Sequence, residues 1–109
     1  MQLQVKGRNV EVTDSVRRYI DQKLARIGRQ LHELTQVEVE LTVEKNPSIA
    51  ANQIAEATIF TKGPGVVRAR AASKDMRAAI DELSDKLLRQ VKEYREKRSH
   101  RPRTSAERE

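Results

Sequence analysis

Apolar positions along the chain follow two periods, one of two residues and one of three to four, and the switch between them gives the element order. Leu3 and Val5 alternate with Gln2, Gln4 and Lys6, which predicts a short strand ending at Gly7. Val16, Ile20, Leu24 and Ile27 then recur at helical spacing with Tyr19 at the edge of that face; Thr13 is placed to cap the helix, Asp14 lies in its first turn, and Gly28 stands where a C-cap glycine would. From Val37 to Lys45 the alternation is strict, with Val37, Val39, Leu41 and Val43 opposite Glu38, Glu40, Thr42 and Glu44. Asn46, Pro47 and Ser48 break this second strand. Ala55, Ala57 and Ile59 give a third strand through about Thr61, Lys62-Gly63-Pro64-Gly65 reads as a turn, and Val67, Ala69 and Ala71 give a fourth strand, with Arg68 and Arg70 on its other face.

The last element is the longest. Met76, Ile80, Leu83, Leu87, Val91 and Tyr94 line one face of a helix spanning Ser73 to Arg103, with Ser73 as its N-cap and Pro102 as its stop. The order is therefore β-α-β-β-β-α. A strand, crossover helix and strand place the first two strands parallel, and the next two add as an antiparallel meander. Because each strand has one apolar face, both helices belong on that face. The predicted class is α+β: a four-stranded mixed sheet with two helices packed on one face. Residues 1–98 form the domain, and 99–109 read as a basic, disordered tail or linker.

Charge changes this picture from a fold to a candidate surface. The chain has 109 residues, 35% of them charged, and a net charge of +6. Residues 1–32 carry seven bases and three acids, residues 33–61 one base and five acids, and residues 62–103 thirteen bases and six acids. From Lys86 to Arg103 alone there are eight bases and two acids. Bases near a helix C-terminus complement its dipole, but only within the last turn, so this run exceeds what the dipole accounts for. Its partner should be a polyanion. On the first helix Arg18, Arg26 and Arg29 form an outer basic stripe, and Lys23 sits beside the apolar seam, where its stem packs and its ammonium reaches water. The second helix adds Lys86, Arg89, Lys92 and Arg95. Few Asn or Gln side chains interleave these bases, and the three aromatics, Tyr19, Phe60 and Tyr94, are mostly assigned to the core. Such a surface suits the phosphate backbone of a folded RNA better than base edges or stacked single strands. The glutamates of the strands, near Arg68 and Arg70, read as a neutralised, solvated sheet face.

Candidate chemistry is sparse. There is no cysteine, which removes disulfides, thiolate metal sites and cysteine nucleophiles. His32 and His100 have no carboxylate or histidine at metal-ligand spacing, and Gly63-Pro64-Gly65 lies in a hairpin and not between a strand and a helix. Neither an enzyme nor a cofactor, metal or small-molecule substrate is expected. No apolar run approaches a membrane span, so the expected location is the cytoplasm, without a membrane partner.

Three groups of residues carry a family resemblance. Val12-Thr13-Asp14-Ser15-Val16-Arg17-Arg18-Tyr19-Ile20 with Lys23-Leu24-Ala25-Arg26-Ile27, the strand Ala55-Glu56-Ala57-Thr58-Ile59, and Asp75-Met76 followed by Ala79-Ile80-Asp81-Glu82-Leu83, Lys86-Leu87 and Arg89-Gln90 resemble, in that order and spacing, the ribosome hibernation-promoting factors. That family includes ribosome-associated inhibitor A (protein Y) and carries the older label of sigma-54 modulation protein; the resemblance spans roughly Met1 to Lys97. It implies a βαβββα fold similar in outline to double-stranded-RNA-binding domains, docking on ribosomal RNA of the small ribosomal subunit in the channel of messenger and transfer RNA, and steric inhibition of translation during stress or stationary phase. It also implies RNA contacts at Lys23, Arg26, Arg29, Lys86 and Arg89; Arg18, Lys92 and Arg95 join them from the charge pattern. Ribosome dimerisation is implied only with a second domain or another factor, and the chain reads either as a short form or as the first domain of a long one. The older label implies the alternative, a protein-interaction module acting on transcription machinery through the acidic sheet face. The family has an aromatic after Asp-Met, where this chain has Arg77.

Overall fold

The structure is a computed structural model that describes residues 2–30, 34–61 and 66–108, with side chains for 2–29, 36–61 and 66–96. Its elements are β1 (Gln2–Arg8), α1 (Asp14–Gln30), β2 (Leu34–Val43), β3 (Gln53–Thr61), β4 (Val66–Ser73) and α2 (Met76–Arg108). The strands form one sheet in the order β1-β2-β3-β4, with β1 parallel to β2 and the other pairs antiparallel. This is the predicted βαβββα architecture. The predicted turn at 62–65 and His32 lie outside the described residues, as does the side chain of His100.

The two helices cover one face of the sheet because alternation leaves only that face apolar. Val37, Val39 and Leu41 of β2, Ala55, Ala57 and Ile59 of β3, and Val67, Ala69 and Ala71 of β4 are buried against Ile20, Leu24 and Ile27 of α1 and Ile80, Leu83, Leu87 and Val91 of α2. Met76 and Tyr94, at the ends of the predicted stripe, are partly buried. Small residues on β3 and β4 let α2 approach the sheet closely. Ala79 and Ser84 are also buried, and the Ser84 hydroxyl donates to the Lys23 carbonyl at 3.4 Å, a polar stitch between the helices.

Several boundaries differ from those read in the sequence. Thr13 does cap α1, with its Oγ1 accepting from the Val16 N–H at 3.2 Å. Gly28, however, lies inside the last turn, since α1 continues to Gln30; a glycine there costs about 1 kcal/mol relative to alanine without ending the helix. Ser73 does not cap α2. It extends β4 opposite Gln53, and Asp75 caps instead, accepting from the Ala78 N–H at Oδ2 (3.1 Å) and placing a negative charge at the positive end of the helix. β1 runs one residue past Gly7, and the reversal that follows uses Asn9 at φ 60°. Gly7 matters for another reason: a Cβ there would stand 2.2 Å from the Val10 carbonyl oxygen, so only glycine permits this close turn.

The far end of α2 is the largest difference. The backbone stays helical to Arg108, through Pro102 and the segment expected to be disordered. Proline removes one helical N–H and disfavours the turn before it, at about 3 kcal/mol. Extension of an already nucleated helix by one hydrogen bond per residue is the opposing effect.

Candidate nucleic-acid interface

Strand directions fix how the two helices lie. β2 and β4 run the same way, so α1, which precedes β2, and α2, which follows β4, run parallel to each other and opposite to those strands. The contacts agree, advancing together along both helices: Ser15 with Arg77, Tyr19 with Asp81, Lys23 with Ser84. Arg26 and Arg29, in the last turns of α1, therefore lie level with Arg89, Lys92 and Arg95 in the middle of α2. The α1 dipole ends there and favours cations, whereas α2 runs on to Arg108.

Of the eight residues singled out in the sequence, Arg18, Arg26, Arg29, Arg89, Lys92 and Arg95 are exposed, and Lys23 and Lys86 are half-buried. Arg18, Arg26, Arg29, Arg89 and Lys92 form no ion pair among the described residues. Lys23 and Lys86 do. The Lys86 ammonium lies 3.5 Å from Glu82 one turn earlier and donates to the Arg70 carbonyl at 2.9 Å. Lys23 sits 3.1 Å from Asp81, across the interhelical groove.

Asp81 is the centre of a cluster that sequence reading missed. One oxygen of its carboxylate accepts from the Tyr19 hydroxyl and also faces the Lys23 ammonium. The Arg77 guanidinium stands 5.1 Å from the centre of the Tyr19 ring and donates to the Ser15 hydroxyl at 2.9 Å. The Lys23 ammonium is 5.6 Å from the same ring. Arg77, at the position where the family resemblance leads to an aromatic, thus covers Tyr19 with a cation instead. The available signal was that Tyr19 and Lys23, and Arg77 and Asp81, are each four apart beside the apolar seam of their helices.

This clasp carries a pH signature. The Tyr19 hydrogen bond, then the Lys23 contact, hold the Asp81 carboxyl below its usual range, while the same hydrogen bond raises Tyr19 and the Asp81 contact raises Lys23. A depressed carboxyl contributes stability above its unfolded pKa of about 3.9, lost as pH falls through the folded value. Raised Tyr19 and Lys23 contribute below about 10, lost as pH rises through their folded values. Asp81→Asn should therefore lower the melting temperature at pH 7, and the gap from wild type should close below about pH 4. Thermal melts across that range read both.

The sheet's outer face is less neutralised than expected. Glu38, Glu40 and Glu56 share it with Lys6, Arg68 and Arg70, but only Lys6 and Glu40 form an ion pair among the described residues, at 3.9 Å. Glu40 stands opposite Glu56, a like-charge neighbour. The strands place Lys6, Arg8, Arg68 and Arg70 on this face against Glu38, Glu40 and Glu56, so it is not an acidic surface.

The Sigma 54 modulation protein / S30EA ribosomal protein family matches residues 3–99. The chain belongs to this family. It is 42% identical over 101 residues to the ribosome hibernation promoting factor of Azotobacter vinelandii, covering 93% of this chain and 89% of that one. To the factor of Pseudomonas putida it is 44% identical over 97 residues, covering 89% of each. In Picosynechococcus sp. the matching factor is about twice as long: the family region covers 89% of this chain and 50% of that one, at 37% identity. Among solved structures, the N-terminal domain of protein Y from Thermus thermophilus superposes with a TM-score of 0.74 at 33% identity, over 86% of this chain and 99% of that one. Among the described residues no helix is long and apolar enough to cross a membrane.

Proposed function

We propose that this chain is a cytoplasmic ribosome hibernation factor that binds ribosomal RNA of the small subunit in the channel of messenger and transfer RNA, and so inhibits translation by occupying it. The observation that carries this reading is the set of five exposed cations, Arg18, Arg26, Arg29, Arg89 and Lys92, unpaired among the described residues on the outer sides of two parallel helices. Arginine and lysine without internal carboxylates exchange only counterions for phosphates, so their charge is available to a backbone. The names of the curated relatives give the ribosome as the context. No step of bond chemistry is needed: a folded domain in the channel excludes the ligands that would use it. Lys23, Lys86 and Arg95 complete the proposed RNA-binding set, with Lys23 and Lys86 exchanging Asp81 and Glu82 for phosphate.

Co-sedimentation with purified small subunits at graded salt tests the proposal. Eight phosphate contacts give a slope of log affinity against log salt on the order of −6, and six, if Lys23 and Lys86 keep their acids, about −4. Failure to co-sediment at low salt would end the reading. The alternative of a protein-interaction module relied on an acidic sheet face, and the balanced charge of that face does not favour it.

A further inference from the structure

We propose that the RNA-binding surface does not stop at the helices but winds around the edge of the sheet, with Arg68 and Arg70 of β4 as a second arm holding a separate stretch of RNA backbone. This rests on the reading of the helices as an RNA-binding surface. The cations of α2 trace a path towards β4. Lys92 is eleven residues, close to three full turns, beyond Asp81, and so lies on the flank that faces α1. Arg89 and Lys86 follow at steps of three residues, each step falling about 60° short of a full turn. The row therefore winds from the α1 side of the helix across its outer surface to the β4 side. Its end point is fixed by contact, since the Lys86 ammonium donates to the Arg70 carbonyl at 2.9 Å.

Among the described residues β4 is an edge strand, with β3 on one side and no strand on the other. Arg68 and Arg70 are exposed on its outer face and form no ion pair among the described residues. Register accounts for Arg68, which stands opposite Thr58; Arg70 stands opposite Glu56, yet the two side chains do not close a pair. A groove of about 430 Å³ joins the strand to the helix, lined by Thr58, Arg68, Arg70, Lys86, Gln90 and the one acid Glu56. The cations of α1, of α2 and of this edge thus form one belt over two sides of the domain. A belt of that shape cannot lie flat on a single RNA strand; it fits a domain with phosphates both above the helices and beside β4.

The test is the double substitution Arg68→Gln and Arg70→Gln, read by co-sedimentation with small subunits over a salt series and compared with Arg26→Gln and Arg89→Gln. Two lost phosphate contacts should weaken binding on the order of tenfold at 0.1 M salt and flatten the salt slope by about 1.4. The charge-preserving pair Arg68→Lys and Arg70→Lys should keep the wild-type slope, which separates lost charge from lost fold. Wild-type affinity and slope in the glutamine strand variant, with weakening in the helix variant, would overturn the second arm alone. No binding by the wild type would overturn the helix reading and this inference together.

Discussion

Reversing Arg26 and Arg89 to glutamate together is expected to weaken binding to the small subunit by on the order of a hundredfold or more, with the fold unchanged. Each residue is exposed, forms no ion pair among the described residues, and projects from one of two parallel helices near the level at which α1 ends. Each reversal removes one released counterion and adds a repulsion, so two of them act as about four lost contacts at a coefficient near 0.7 per phosphate. Arg17→Glu is the control. It changes charge by the same amount as either single reversal, but Arg17 is on the opposite flank of α1, lining a groove with Leu3, Val5 and Val39. Its effect should be threefold or less, against tenfold or more for Arg26→Glu, because phosphate contacts are local and distant charges are screened beyond about 8–10 Å. Equal effects of Arg17→Glu and Arg26→Glu would mean that net charge, not this surface, drives association.

The second large effect falls on stability. Leu87 is fully buried in the middle of the α2 stripe, among Leu83, Val91 and the small residues of β3 and β4. Leu87→Ala should cost about 2–5 kcal/mol, since alanine residues across the interface cannot fill the cavity that is left. For a domain of this size that lowers the melting temperature by about 10 °C or more. Leu88, half-buried at the next position, should cost less than half as much on truncation to alanine. Chemical denaturation of both variants reads the difference, and equal midpoints would contradict the placement of α2.

Most of the fold was legible because each element carries one period and one apolar face. Val37 to Val43 alternate without exception, and Ile80, Leu83, Leu87 and Val91 keep helical spacing, so both the class and the buried side follow from local pattern. What failed depended on partners distant in sequence. Ser73 and Asp75 are both good caps; Ser73 belongs to the strand only because Gln53 pairs with it. The end of α2 was placed at Pro102 from a local rule, and the backbone runs past it.

The candidate surface divides the same way. That Arg18, Arg26, Arg29, Arg89, Lys92 and Arg95 face outward follows from helical phase. That Lys23 meets Asp81 follows only from the parallel packing of α1 on α2, and that Arg68 has no acid opposite it follows from strand register. Lys86 and Glu82, four residues apart on α2, pair at the local spacing that helix geometry favours.

Where the domain sits on the ribosome decides between these readings, and a density map of the small subunit bound to this protein locates it. The domain is expected inside the messenger and transfer RNA channel, with the outer sides of both helices against ribosomal RNA backbone. Density for the domain on the outer surface of the subunit, with the channel open, would contradict it.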